Sequence, residues 1–182
     1  GADPGRCRIR IALEAPLGIP VDDAPRTAAS DAADALAALG HEVVEGVPDW
    51  NDEAFPVSWA TYLTGTGQHL LRVVERLHGR PVDAGRLEPA TRAWLLDSEP
   101  VTLVDYLEAG ERLWKFARNL LRDWAEDEIL ITPTLTRLPA PVGGIRSRAG
   151  VTDDAVRFSA FVRLWNVTGQ PAISLPLAET SG

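Results

Sequence analysis

Arg8-Ile9-Arg10-Ile11-Ala12-Leu13-Glu14 alternates polar and apolar residues, the period of a strand with one strongly apolar face. Pro16, Gly18 and Pro20 then break the chain. Asp22 and Asp23 stand where a helix cap is wanted, and Pro25 is tolerated in a first turn. Ala28, Ala32, Leu36 and Leu39 recur on one helical face, with Gly40 placed to end it. His41 to Val47 reads as a second strand. A strand–helix–strand unit crosses over right-handed, with its strands parallel, in nearly all cases. The first quarter of the chain therefore predicts an α/β fold.

The middle of the chain is helical. Val57, Ala60, Thr64, Gly67, Leu71, Val74 and Leu77 mark one face of a helix over 52–79, which stops at Gly79-Arg80-Pro81. A short helix is expected over 88–97. Thr102 with Asp105 resembles a capping box, and Leu103, Leu107, Gly110, Trp114, Ala117, Leu121 and Trp124 step by four and three along the helix that follows. On this reading the helix buries Leu107, Trp114 and Leu121, leaves Lys115 exposed, and carries Glu108–Arg112 and Glu111–Lys115 ion pairs on its other side. Glu128 to Thr132 is a third strand, ended by Pro133 and followed by a Pro/Gly-rich stretch to Gly150. A helix over about 153–164 leads to Asn166-Val167-Thr168-Gly169-Gln170-Pro171. The run Ala172–Leu177 is almost wholly apolar, as in a strand covered on both faces.

The 182 residues are expected to form a single domain over 1–182, with no repeats. Lys+Arg 18 against Asp+Glu 26 gives a net charge of −8, which disfavours nucleic acid and anionic membrane surfaces as partners. No apolar run approaches the roughly 20 residues of a membrane helix. Cys7 is the only cysteine, so an internal disulfide and a thiolate-rich metal site are both excluded. That fits a reducing compartment, and a cytoplasmic location is expected.

Few residues offer chemistry. His41, His69 and His78 form no His-Glu-x-x-His pattern, so no metal is expected on them. No Gly-x-Ser-x-Gly elbow is present. Cys7 sits between Arg6 and Arg8 in the N-terminal leader and reads as inert. Gly65-Thr66-Gly67 starts like a dinucleotide loop, but Leu70 stands where the third glycine belongs and the context is helical. Close helix packing explains these glycines better. Lys115, the one lysine, has Glu111 a turn before it and reads as a surface residue.

The last third of the chain is informative in another way. Glu128-Ile129-Leu130-Ile131-Thr132-Pro133-Thr134, followed by Pro139, Pro141 and Gly143, resembles the Asp-x-Leu-x-Thr-Pro-Thr…Pro-Pro…Gly stretch of amidase-signature hydrolases. Asn166 through Pro176 is similar to that family's Asn-x-Thr-Gly-Gln-Pro-Ala-hydrophobic-Ser-x-Pro block. Upstream, Arg8–Leu13 and Leu39-Gly40-His41-Glu42-Val43 resemble its strand–helix–Gly-His-x-Val unit. Leu87–Arg92 with Asp105-Tyr106-Leu107 resembles members akin to aminohexanoate cyclic-dimer hydrolases.

The resemblance implies a partial amidase-signature fold of the α/β class, with mixed-sheet strands, a βαβ unit and a helical middle section. It implies hydrolysis of amide carbon–nitrogen bonds by a Ser-Ser-Lys triad, with backbone N–H groups stabilising the oxyanion. The family's Gly/Ser-rich nucleophile segment and its lysine lie upstream of the matching region, and the Gly-x-Pro-x-Gly-x-Gln segment after Pro176 is also missing. The chain is therefore expected to be a later portion of an amidase, truncated at both ends. It would supply fold and a wall of the substrate pocket, with no catalytic residue, no cofactor and no metal ligand. The expected partners are a small-molecule amide in the complete enzyme and the missing N-terminal half, with a homo-oligomer left open. The alternative is a stand-alone, non-catalytic binding protein derived from amidases.

Overall fold

The computed structural model describes residues 5–122, 124–125, 127–141 and 153–179. The Pro/Gly-rich stretch 142–150 lies outside them. The chain divides into two compact units. The first comprises the described residues of Gly1–Asp52, Phe116–Pro139 and Arg157–Gly182, and the second those of Glu53–Lys115 and Ala140–Val156.

The first unit is built on a three-stranded parallel sheet of order β2-β1-β3, from β1 (Arg8–Ile11), β2 (Glu42–Glu45) and β3 (Glu128–Ile131). The expected βαβ unit is present, with α1 (Asp23–Ala38) as its crossover. Helix α1 ends in a Schellman motif. Gly40 takes φ 94°, its N–H donates to the Ala37 carbonyl at 2.9 Å, and the His41 N–H donates to the Leu36 carbonyl at 3.2 Å. The buried face of α1 is set by Ala29 and Ala33, one position on from the expected stripe, while Leu39 is 76% exposed. Asp22 occupies the N-cap position without a side-chain cap bond; its backbone N–H donates instead to the Thr136 carbonyl at 2.8 Å.

β1 divides its side chains between two environments. Ile9 and Ile11 are buried on one face. On the other, Arg10 Nη2 donates to Glu128 Oε2 at 3.0 Å, and Nε lies 2.7 Å from Oε1 without hydrogen-bond geometry, an ion pair whose Glu128 side chain is almost fully buried. The Arg10 guanidinium stands 5.9 Å from the Trp124 ring centre. Trp124 donates from Nε1 to the Glu128 carbonyl and meets Trp165 edge-on at 5.9 Å.

The second unit is helical: α2 (Phe55–His78), α3 (Pro89–Leu95) and the first turns of α4 (Leu103–Leu120). Gly79, at φ 63°, ends α2 where expected. Two glycines of α2 permit close approach. A Cβ on Gly65 would meet Tyr106 Cδ2 at 2.8 Å, and one on Gly67 would meet Leu95 Cδ2 at 2.5 Å. Gly65-Thr66-Gly67 thus serves packing. Stacked Tyr62 and Tyr106, with ring centres 4.7 Å apart, continue this seam, and Gly110 of α4 lies against Tyr62.

Helix α4 corrects one expectation. Its Thr102–Asp105 capping box forms, with Asp105 N–H on Thr102 Oγ1 at 3.1 Å. Its buried residues, however, are Ala109, Gly110, Leu113, Phe116 and Leu120, whereas of the expected core residues Leu121 is half-buried, and Leu107 is 52% and Trp114 57% exposed. The four-and-three step fits both stripes, and the largest side chain drew the face the wrong way. Lys115 is exposed as expected; Glu108 pairs with Arg112, but Glu111 and Lys115 form no ion pair among the described residues.

The C-terminal region departs further. The helix expected over 153–164 is two short ones, α5 (Asp153–Phe158) and α6 (Arg163–Thr168). The second runs into the Asn-x-Thr-Gly motif and stops at Gly169, φ 74°. Residues 172–177 form no strand, because no strand of the described residues pairs with them.

Two expected outcomes follow for stability. Leu113→Ala should cost about 2–5 kcal/mol, the range for a buried leucine, and Trp114→Ala less than about 1 kcal/mol, both read from urea denaturation. Arg10→Met leaves the Glu128 carboxylate buried and unpaired and should cost about 3–5 kcal/mol, and the double variant with Glu128→Leu should recover most of that loss.

Candidate functional site

In open parallel sheets, the loops beyond the carboxyl ends of the strands gather the functional groups. Here β1 runs into Ala12–Ala15 and a 3-10 turn at Pro16–Gly18, β2 into Gly46–Asn51, and β3 into Thr132–Arg137. The ladder carries the loops' first residues along: Ala12 N–H donates to the Ile131 carbonyl and Gly46 N–H to the Ile11 carbonyl, both at 3.0 Å.

Leu17 is held in the left-handed region at φ 60°, ψ 26°, a conformation that costs an L-residue with a bulky side chain roughly 1–2 kcal/mol. Its N–H donates to Asn51 Oδ1 at 2.7 Å, so the loop after β2 fixes the strained loop after β1. Asn51 is in turn positioned by its neighbour. Trp50 is fully buried and packs edge-on against Phe161 with ring centres 6.0 Å apart. The Trp50 Nε1–H finds no acceptor among the described residues.

Beyond β3, Thr134 Oγ1 lies 3.0 Å from Ser174 Oγ and ties the C-terminal run to the sheet edge. The buried Thr136 donates from Oγ1 to the Arg157 carbonyl at 3.1 Å, and its N–H donates to the Phe158 carbonyl at 3.2 Å. The run itself is open to solvent: Ile173 is 81%, Leu175 55% and Leu177 62% exposed. The strained Leu17 with its Asn51 tether and the exposed apolar run tied to Thr134 thus both lie beyond the carboxyl ends of the strands. Such an arrangement suits one wall of an apolar pocket with a few fixed polar groups.

The residues singled out by sequence fall elsewhere. Cys7 and His41 lie at the opposite, amino end of the sheet. The half-buried Cys7 donates its backbone N–H to His41 Nδ1 at 3.1 Å, which leaves the imidazole proton on Nε2 and gives His41 a structural task. His69 and His78 are exposed on α2. Among the described residues no cluster of three His, Cys, Asp or Glu is placed to hold a metal ion. In the second unit, a hydrogen bond to Tyr106 and then burial hold the Tyr62 phenol above its ordinary range, so it stays protonated.

Leu17, Trp50 and Asn51 escaped sequence reading. Pro16 and Gly18 announce a turn, but nothing in the composition says that the leucine between them takes the positive φ. Leu17→Gly should therefore leave thermal stability unchanged or raise it by up to about 1 kcal/mol, whereas Asn51→Ala should lower it by about 0.5–1.5 kcal/mol through the lost acceptor.

Comparison with known proteins places this geometry. The amidase family profile matches residues 5–182. The chain is 31% identical over 194 residues to the 6-aminohexanoate-cyclic-dimer hydrolase of Pseudomonas sp. (strain NK87), covering 98% of this chain and 39% of that protein. It is 32% identical over 195 residues to the protein of the same name from Paenarthrobacter ureafaciens, again covering 98% and 39%. The solved structure of 6-aminohexanoate cyclic dimer hydrolase complexed with substrate superposes with a TM-score of 0.86 at 28% identity, over 99% of this chain and 40% of that one. A bacterial aryl acylamidase of the amidase-signature enzymes shares the fold, with a TM-score of 0.66 at 15% identity over 90% of this chain and 35% of that one. The chain spans about two fifths of the length of these relatives, and it belongs to the amidase family.

Proposed function

We propose that this chain is a later portion of an amidase that hydrolyses amide carbon–nitrogen bonds in small molecules, and that it forms one wall of the substrate pocket. The observation that carries the reading is the exposed apolar run Ile173, Leu175 and Leu177, tethered through Ser174 to the carboxyl edge of the sheet. Contiguous apolar surface of this kind marks a face made to be covered. In the proposed arrangement it is covered by polypeptide that carries the nucleophilic serine, the bridging serine and the lysine of a Ser-Ser-Lys triad. The lysine accepts a proton from the bridging serine, which activates the nucleophile for attack on the amide carbonyl. Backbone N–H groups meet the oxyanion that forms.

No residue of this chain takes part in bond cleavage on this reading. Ser174 faces the Thr134 hydroxyl, and neither hydroxyl has a base within hydrogen-bond distance among the described residues. Lys115 is exposed on α4 and has no serine partner among the described residues. The cyclic-dimer hydrolases to which the chain is similar make a cyclic amide the first substrate to try.

The test is complementation. The purified chain should show no hydrolysis of an anilide or a cyclic amide above the uncatalysed rate. Addition of a separately produced polypeptide bearing the family's serine pair and lysine should restore activity, and dye binding to exposed apolar surface should fall on mixing. Turnover by the chain alone that vanishes on Lys115→Ala would overturn the proposal, as would a mixture that associates yet stays inactive.

A further inference from the structure

The C-terminal half of α2 carries a concentration of positive charge that the amidase reading does not use. Arg72 and Arg76 lie one turn apart on the helix, His69 one turn before Arg72, and Arg80 directly after the Gly79 cap. With Glu75 and Pro81 they line an open groove of about 580 Å³, within the range of small-molecule clefts, about 300–1,000 Å³.

Three observations set this groove apart. The molecule carries a net charge of −8, so a groove lined by three guanidinium groups and one carboxylate runs against its overall field. Arg10, Arg92 and Arg112 each hold a carboxylate, whereas the side chains of Arg72, Arg76 and Arg80 make no ion pair or hydrogen bond among the described residues; Arg26, Arg86 and Arg118 are likewise unpaired, but here three such side chains line one groove. The carboxylate inside the groove, Glu75, is already engaged: its Oε1 accepts the Val82 N–H at 3.0 Å and ties the chain after the cap back to the helix. The helix dipole accounts for cations in the last turn, such as Arg76 and His78. The same holds for Arg80, directly after the cap, but not for Arg72, further back along α2.

Unpaired guanidinium groups gathered in one concavity repel one another until an anion joins them. Their planar forks grip phosphate oxygens in pairs, and an oxyanion carrying several charges engages more than one fork at once. We infer that the groove of Arg72, Arg76, Arg80 and His69 is a binding site for a small multivalent phosphate.

Calorimetric titration of the 182-residue chain at low ionic strength tests this, with sodium triphosphate and a nucleoside triphosphate as probes. Saturable one-site binding of both is expected. Equal affinities identify the phosphate chain alone as the ligand, and tighter nucleotide binding adds the nucleoside to it. Raising the salt to about 0.5 M should weaken binding about tenfold or more. The double variant Arg72→Gln/Arg76→Gln should lose about tenfold or more, and Arg72→Lys, which keeps the charge but not the fork, should fall between. These side chains are exposed, so an unchanged far-UV helix signal accompanies each variant. No saturable binding, equal binding by the double variant, or citrate binding as tightly as triphosphate would overturn the assignment. Because the readout is binding, failure of the complementation experiment leaves this result intact.

Discussion

Arg10 and Glu128 join β1 to β3 through a buried ion pair. β1 is the strand with a neighbour on each side, and its second face offers a guanidinium where a sheet centre wants an apolar group. Burying that charge is tolerable because the Glu128 carboxylate pairs with it and Trp124 stands over it. A buried pair of this kind contributes little net stability against an apolar replacement, but it is specific. A slip of β3 by one residue would turn Glu128 to the other face and strand Arg10. The register Arg8 with Glu128 and Arg10 with Leu130 is thereby fixed by charge as well as by apolar pattern.

Much of this architecture was legible in the sequence because short-range periodicity dictates it. The alternation at Arg8–Ile11 and the stop at Gly40 required only local rules, and the parallel pairing of β1 and β2 followed from the handedness of the crossover. Helix faces were harder. The residues of α4 offered two apolar stripes of similar width, and hydropathy does not say which one meets the core. Ala109 and Leu113 are smaller than Trp114, yet they are the residues inside. At the candidate site, the strain at Leu17 depends on an acceptor 34 residues away, Asn51, a relation that no local pattern records.

Local spacing and the family motifs specify different things. Strand–helix–strand spacing gave a fold class without a chemistry, and no nucleophile–base pair emerged from the residues. The Asn-x-Thr-Gly-Gln-Pro block, whose first four residues the structure assigns to the end of α6 and its Gly169 cap, tied that fold to the amidases. The motif proves to be a helix terminator that launches an extended apolar run. The motif therefore has a conformational logic: glycine supplies the positive φ, and proline prevents the helix from resuming.

The insertion of Glu53–Lys115, the larger part of the second unit, between β2 and β3 sets the order in which the sheet can assemble. β1 and β2 are separated by one helix and can pair as soon as that helix forms. Arg10 and Glu128 are 118 residues apart, so their meeting closes a far longer loop. Closure entropy grows only slowly with loop length, but contacts of such separation delay folding. Until β3 arrives, one edge of β1 lacks its ladder and Arg10 lacks its carboxylate. During synthesis from the N-terminus the chain must pass through that open-edged state while all of α2, α3 and α4 is being made, and an open edge of this kind invites mispairing. Arg8 and Arg10 place two cations on that edge for as long as it stays open, and two such edges brought together repel.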